Sequence, residues 1–233
     1  LRTLEALNLH WDGEVTYQSA RLPLYEAALR QLRDSGRTYE CSCSRRTLAA
    51  QGETGYPGTC RKGPRRAGPT ATRLRMHDGQ WLEFNDRIQG KQRHSLAQLG
   101  DVVIRRRDDR IAYQLAVVID DAQQGVTDVV RGADLLGSTP WQIELQRALG
   151  YTQPRYAHLP VVTAADGGKL AKSRCSLPPD LSNPSQILWR TLVLLRQRPP
   201  ADLAGLEPRE VLKWGVLNWE PTRLHQIAAV PAA

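Results

Sequence analysis

The chain has 233 residues, 41% hydrophobic and 24% charged, a balance that excludes a disordered chain or a coiled coil. Thirty-two Lys plus Arg stand against 24 Asp plus Glu, a net charge of +8. That excess points to a polyanionic partner, nucleic acid or a phosphate-rich ligand, or to a genome that uses Arg in place of Lys. Only Lys62, Lys91, Lys169, Lys172 and Lys213 are lysines. The longest purely apolar run, Leu115 to Ile119, is too short for a transmembrane helix. Arg2 and Glu5 leave no apolar h-region at the start, so no secretory signal is expected there.

In chain order, Leu1, Leu4 and Leu7 share one face of a short helix, and Trp11-Asp12-Gly13 reads as a turn. Tyr25, Ala28, Leu29 and Leu32 recur at helical spacing and predict a helix from about Leu22 to Ser35, stopped by Gly36. Tyr39 to Cys43 reads as a strand leading into a cysteine cluster. From Gly52 to Gly68, Gly, Pro, Arg and Thr dominate, which implies a loop-rich module held by something other than a hydrophobic core. Strands are expected at Arg73 to Met76, Trp81 to Asn85 and Asp101 to Arg105, with turns at Asp78-Gly79 and Asp108-Asp109.

Ile111 to Ala122 fits a buried strand or a helix. Tyr113, Ala116, Val117 and Asp120 fall on one helical face and Gly125 can end it, so the reading is helix. Val126 to Val130 is a short strand. Thr139-Pro140-Trp141-Gln142 reads as a helix start with Thr139 as N-cap and Gln142 closing a capping box. That helix presents Trp141, Leu145, Ala148 and Leu149 and stops at Gly150. A second strand is expected at Leu159 to Val162, giving one βαβ unit of a parallel sheet. The last third is helical: Asn183 caps one helix, and another starts near Pro208. No internal repeat is present.

Four constellations carry chemistry. Cys41, Cys43 and Cys60 cluster while Cys175 stands apart, which is too few cysteines in too long a chain for a disulfide framework. In a reducing compartment, clustered thiols suggest a closed, structural zinc site. The fourth ligand is open on chemistry alone: His77, His94 or water is a better donor than Tyr56, whose phenol ordinarily titrates near ~10. Next, Asp166-Gly-Gly-Lys169-Leu-Ala-Lys172-Ser173 sets two lysines after a glycine turn, suited to phosphates or equally to a solvated loop. Third, Arg131 ends a strand where α/β sheets bind ligands and suits a carboxylate, with a salt bridge to Asp128 or Asp134 as the structural alternative. Tyr113 accompanies it at the start of the ambiguous helix. Last, Arg61, Lys62, Arg65, Arg66, Arg73 and Arg75, with Arg105 to Arg107, form a candidate RNA-phosphate surface, or ordinary solvated surface.

The order of these pieces is specific. Tyr113 to Asp121, Gly125 to Asp134, Ser138 to Gln142, His158-Leu-Pro160 and Asp166 to Ser173 together resemble the catalytic domain of class I glutamyl-tRNA synthetases. Trp11-Asp-Gly13 and Tyr17-Gln-Ser19 extend the resemblance over most of the chain. It implies an α/β, Rossmann-like catalytic domain with a zinc-bearing insertion and a helical C-terminal region. The implied division is 1–38 for the remainder of the first Rossmann half, 39–100 for the insertion, 101–175 for the second half and 176–233 for the helical end.

By the same resemblance, Lys169 to Ser173 is the KMSKS-type loop. Lys172 and Lys169 act catalytically, and Lys172, Ser173 and Asp134 bind ATP with its Mg²⁺. Tyr113 and Arg131 hold glutamate. Cys41, Cys43, Tyr56 and Cys60 are similar to the zinc site of the branch that loads glutamate onto the queuosine base of tRNA(Asp), and there Tyr56 is adopted as the fourth ligand. Val117, where ordinary glutamyl enzymes are expected to carry Asn, points the same way. So do the 60 residues after Ser173, too few for an anticodon-binding domain. The family's opening strand, HIGH-type signature and helix are expected to lie outside this chain. The implied partners are tRNA(Asp) bearing queuosine, glutamate and ATP, for a cytoplasmic monomer with no membrane contact.

Overall fold

The computed structural model describes residues 1–44, 48, 56–77, 79–164, 167–170 and 180–232. Helix α1 (Arg2–Ala6) and a short 3-10 turn precede α2 (Leu22–Asp34), which buries the predicted stripe of Tyr25, Ala28, Leu29 and Leu32. Strands β1 (Thr38–Cys41), β2 (Ala71–Leu74) and β5 (Val103–Arg105) form an antiparallel sheet in the order β1-β2-β5. β2 lies two residues earlier than the sequence predicts, because Ala71 to Leu74 are the residues buried on both faces.

The second sheet runs β4 (Gly90–Ser95), β3 (Trp81–Asp86), β7 (Arg155–Leu159), β6 (Asp128–Gly132). β3 and β4 are an antiparallel hairpin, while β3, β7 and β6 run parallel. Helices α3 (Leu96–Leu99), α4 (Tyr113–Gln123) and α5 (Thr139–Leu149) follow in chain order. The ambiguous segment at 111–122 is helical: Leu115, Ala116, Val118 and Ile119 are buried and Gly125 turns the chain at φ +67°. β6, α5 and β7 make the expected βαβ unit, with its second strand at Arg155–Leu159, ahead of the predicted position. Residues 161–163 instead form β8 (Val161–Thr163), which pairs in parallel with β9 (Ala229–Pro231).

One core joins α2, α4 and α5 to the sheets through Leu32, Leu74, Leu82, Phe84, Ile104, Leu115, Ile143, Leu145 and Tyr156. A smaller cluster of Leu7, Leu188, Leu203 and Val211 joins α1 to the C-terminal helices α6 (Pro184–Leu194) and α7 (Pro208–Leu217). Asn183 caps α6 as predicted, its Oδ1 accepting from the Gln186 amide at 3.0 Å.

The start of α5 departs from the sequence reading. Ser138, not Thr139, is the N-cap, and neither makes a side-chain cap bond. Thr139 is the first helical residue and is fully buried, because its hydroxyl is held by side chains of the neighbouring strands. Gln142 donates across to Gln114 Oε1 at 2.8 Å instead of closing a capping box.

Candidate active site and thiol cluster

β1 ends at Cys41, and the chain returns through Tyr56 and Cys60, so all three thiols and the phenol converge. The Cys41, Cys43 and Cys60 sulfurs lie within 4.8 Å of one another. Cys43 Sγ is 3.6 Å from Cys60 Sγ, and Tyr56 Oη is 3.3 Å from Cys41 Sγ and 3.8 Å from Cys43 Sγ. A tetrahedral zinc with Zn–S about 2.3 Å and Zn–O about 2.1 Å sets edges of ~3.8 Å between sulfurs and ~3.6 Å from sulfur to oxygen. The Cys43–Cys60, Tyr56–Cys41 and Tyr56–Cys43 distances are close to those edges. His94 stacks on Phe84 in the second sheet, away from the thiols.

Electrostatics favour a metal ligand at Cys60. Burial works to raise its thiol, but hydrogen bonds from Tyr56 and from the Ser42 and Arg65 backbone bring it down to about 6. Burial raises Cys43, as it does Tyr56, whose phenol also accepts from the Cys60 amide at 2.9 Å.

The cluster is tied to the rest of the fold at two points. Gly100, at φ +68°, pairs with Tyr56, and a Cβ there would meet the Tyr56 nitrogen at 2.4 Å, so only glycine fits. Asp101 is buried and takes both nitrogens of the Arg61 fork at 2.7 Å, the Met76 amide at 2.8 Å and the Tyr39 hydroxyl. Burial opposes its ionisation, yet these donors hold its carboxyl below the usual range.

This arrangement corrects the expected basic surface. Arg61 is bound to Asp101, Arg73 lies over the Tyr56 ring at 3.7 Å, and Arg75 donates to the Arg61 carbonyl. Arg105 pairs with Glu26 and Asp109, Arg106 with Asp108, and Arg107 donates to the Ser42 carbonyl. Lys62, Arg65 and Arg66 remain exposed.

The second constellation sits at the carboxyl ends of β6 and β7, where their register sets Arg131 opposite His158. The structural alternative for Arg131 is not realised: Asp128 is paired with Arg87 and Arg155, and Asp134 with Lys169. Among the described residues Arg131 forms no ion pair. Its Nε donates to His158 Nε2 at 3.0 Å and its Nη2 to Thr139 Oγ1 at 2.9 Å, with the guanidinium 5.5 Å from the Tyr156 ring. Asp121, whose carboxyl is raised by burial and favoured in its charged form by Arg131, faces the same corner.

Tyr113 opens α4 with a half-exposed side chain. Its neighbour Gln114 donates to Ser138 Oγ at 3.0 Å, tying that end of α4 to the turn that carries Thr139. Lys169 follows a hairpin in which Gly167 adopts φ +76° and Leu170 returns to Val162. Its ammonium is 2.5 Å from Asp134 Oδ2, so these two predicted nucleotide ligands hold each other. Lys172, Ser173 and Cys175 lie outside the described residues.

Sequence reasoning did not single out Asp86. Its link to His158 spans 72 positions, and nothing local in Asn85-Asp86-Arg87 signals it. His158 entered only through the His158-Leu-Pro160 motif, one residue before the strand expected at Leu159 to Val162.

Residues 1–183 match the family model for tRNA synthetases class I (E and Q), catalytic domain. The chain is 48% identical over 233 residues to a Glutamyl-Q tRNA(Asp) synthetase of Pseudomonas aeruginosa, covering 99% of this chain and 78% of the relative. It is 48% identical over 231 residues to the Glutamyl-Q tRNA(Asp) synthetase of Chromobacterium violaceum, covering 96% of this chain and 76% of the relative. Among solved structures, the glutamate-tRNA synthetase of Elizabethkingia anophelis superposes with a TM-score of 0.75 at 21% identity, covering 100% of this chain and 57% of that one. The last match shows the fold. Together with the βαβ site and the thiol cluster, the sequence matches establish that the chain belongs to the class I glutamyl- and glutaminyl-type tRNA synthetase family and, within it, to the glutamyl-Q tRNA(Asp) synthetases.

Proposed function

We propose that the protein activates glutamate with ATP and transfers it to the queuosine base in the anticodon loop of tRNA(Asp). A glutamate carboxylate oxygen attacks the α-phosphorus of ATP, a P–O bond breaks, and glutamyl-adenylate and pyrophosphate form. An acceptor group on the queuosine base then attacks the adenylate carbonyl, and AMP leaves.

The observation that carries this reading is Arg131, a guanidinium at the carboxyl end of a parallel strand that forms no direct ion pair among the described residues and feels the Asp121 carboxylate only at longer range. A site built this way is short of one anionic ligand, and an amino-acid carboxylate supplies it. Tyr113 orients the amino acid from the start of α4. Lys172 and Lys169 stabilise charge developing on the phosphates, which counts catalytically only where the contact strengthens in the transition state. Asp134 and Ser173 complete the nucleotide contacts, and Mg²⁺ enters on the ATP phosphates. For Lys169 to reach phosphate, its pair with Asp134 must open.

Cys41, Cys43, Tyr56 and Cys60 hold one structural zinc, which replaces the missing apolar core of that module. The division into 1–38, 39–100, 101–175 and 176–233 follows from this reading, with β3 pairing the insertion to the second Rossmann half. The queuosine acceptor rests on the names of the relatives. No described helix is long and apolar enough to cross a membrane, in keeping with a cytoplasmic enzyme, here read as a monomer.

The test is a charging assay with the full-length protein. Glutamate is expected on queuosine-containing tRNA(Asp) and not on the 3′ end of tRNA(Glu). The reverse result sinks the acceptor assignment. Glutamate-dependent ATP–pyrophosphate exchange that survives Lys172→Ala undiminished removes the role given to that lysine.

A further inference from the structure

We propose that His158, anchored by Asp86, is a positioning residue that fixes Arg131 so that only the Nη1/Nη2 end of its guanidinium is offered to the substrate carboxylate. This rests on the reading of Arg131 as the carboxylate ligand.

The β6–β7 register places Arg131 and His158 side by side on one face of the sheet. Both members of the Asp86–His158 pair are fully buried, and the His158 Nδ1 to Asp86 Oδ2 distance is 2.5 Å. Asp86 itself is immobilised: its Oδ1 accepts from the amides of Ile88, Gln89 and His158 at 3.0, 2.8 and 3.1 Å. The imidazole is therefore gripped at one nitrogen by a carboxylate that cannot turn.

The proton positions follow from the partners. Asp86 accepts four contacts as a carboxylate, so His158 Nδ1 carries the hydrogen. Arg131 Nε can only donate, so His158 Nε2 must accept. One imidazole thus links a buried anion to the edge of a guanidinium.

The donor count sets the geometry of the substrate. A guanidinium has five N–H groups. The Nε–H is taken by His158 and one Nη2–H by Thr139. Those two lie on the edge through which Arg commonly grips a carboxylate. What remains is the second Nη2–H and both on Nη1, so the ligand is met end-on. The Tyr156 ring, its hydroxyl accepting from Gln146 at 3.0 Å, lies 5.5 Å beneath the guanidinium. Without these contacts the long side chain would have to be ordered on each binding event, at a cost in affinity and not in the chemical step.

Two substitutions separate this role from a purely structural one. His158→Asn keeps an N–H for Asp86 but has no atom at the position of Nε2. His158→Gln can place an oxygen there for Arg131 while losing the bond to Asp86. The measurement is glutamate-dependent ATP–pyrophosphate exchange by the full-length protein, with KM for glutamate and ATP and kcat resolved, beside thermal unfolding. His158→Asn is expected to raise the glutamate KM about tenfold, with ATP KM and kcat little changed. His158→Gln is expected to recover most of that loss despite a lower melting temperature. Should His158→Asn fold poorly, Thr139→Val, which removes the other anchor, carries the same test with the same expected rise in glutamate KM.

A glutamate KM that follows melting temperature across the variants, or that stays at the wild-type value in His158→Asn, overturns the proposal. Arg131→Lys is the control for the reading beneath it. An unchanged glutamate KM there removes Arg131 as the ligand, whereas a raised one with a normal His158→Asn removes only the positioning role.

Discussion

Two buried aspartates organise the two halves of this molecule, and they do so differently. Asp101, beside the thiol cluster, is neutralised by a bidentate arginine, a tyrosine hydroxyl and an amide. Asp86, under the β6–β7 site, is satisfied by three backbone amides and a histidine. The first arrangement consumes a full positive charge inside the protein. The second consumes none, and passes orientation through His158 to a guanidinium left without a direct ion pair among the described residues. A basic residue near the thiols is thus mostly a strut, while the one at the sheet end is available for chemistry. Net charge alone does not tell these apart.

The largest effect that can break this comparison is removal of the metal. Cys60→Ser, or prolonged chelation, is expected to take bound zinc from about one per chain to near none, measured by metal analysis after native purification. A structural zinc supplies apparent folding free energy on the order of ten kcal/mol in small modules. Proteolysis should then cut within residues 39–77 before it cuts the parallel sheet. If the thiol half resists cleavage as well without metal as with it, Asp101 and its arginines hold that half alone.

Next is Asp101→Ala, which takes the carboxylate away from the largely buried Arg61 while its contact to the Met76 carbonyl stays. Breaking a buried pair costs roughly 3–5 kcal/mol, to be read from urea unfolding. The effect has a pH signature. The carboxyl of Asp101 is held below its ordinary value. Its stabilisation is therefore full above the unfolded value near ~4 and is lost as pH falls through the lower folded value. The gap in stability between wild type and Asp101→Asn should close below about pH 4. A gap independent of pH would mean that shape, not charge, is what Asp101 contributes.

How much of this was legible beforehand follows the same division. α2, α4 and α5 could be read because their apolar residues recur at helical spacing and the glycines that stop them lie in sequence. Strand β4, Gly-Lys-Gln-Arg-His-Ser, could not, since an edge strand that borrows its pairing from β3 needs no apolar alternation of its own. β7 was misplaced because its buried positions are Tyr156 and His158, and a histidine there does not look like core. Thr139 carried a correct local signature for a cap, overridden by Arg131 and His158 reaching its hydroxyl. The thiols, Tyr113, Arg131 and Lys169 were singled out by residue type and order. Arg61 and Asp101, 40 positions apart, show why the arginine surface was not: a sequence displays charges without their partners.

A third buried aspartate sharpens the comparison at a smaller scale. Asp120 on α4 takes Gln18 at 2.9 Å, Arg21 at 2.7 Å and the Tyr25 hydroxyl at 2.8 Å, and burial with this neighbour pushes Tyr25 up to about 12. It clips the segment before α2, and α2 itself, onto α4. Asp120→Ala is expected to cost about 1.5–3 kcal/mol, the usual range for hydrogen bonds to a charged group, less than Asp101→Ala because the Asp120 carboxylate is nearer solvent, 10% exposed against 0%. A loss equal to that of Asp101→Ala would place the two on the same footing and remove burial of the carboxylate as the deciding variable.

The smallest stability effect should come from the pair that matters most to the loop. Lys169 and Asp134 are 48% and 35% exposed, and ion pairs in that environment contribute about 0–1 kcal/mol. Asp134→Asn should therefore leave the urea midpoint nearly unmoved. The same pair, however, holds the ammonium of the lysine loop on a carboxylate 35 positions earlier in the chain, in competition with any phosphate. Substitution removes that competitor and also one predicted nucleotide contact, and the two act on ATP KM in opposite directions. A fall in ATP KM shows that Asp134 mainly restrains Lys169, and a rise shows that it mainly binds nucleotide. Because stability is expected to be silent, either shift reads the site itself. It thereby tests whether this half of the molecule, unlike the thiol half, keeps its charges for ligands and not for the fold.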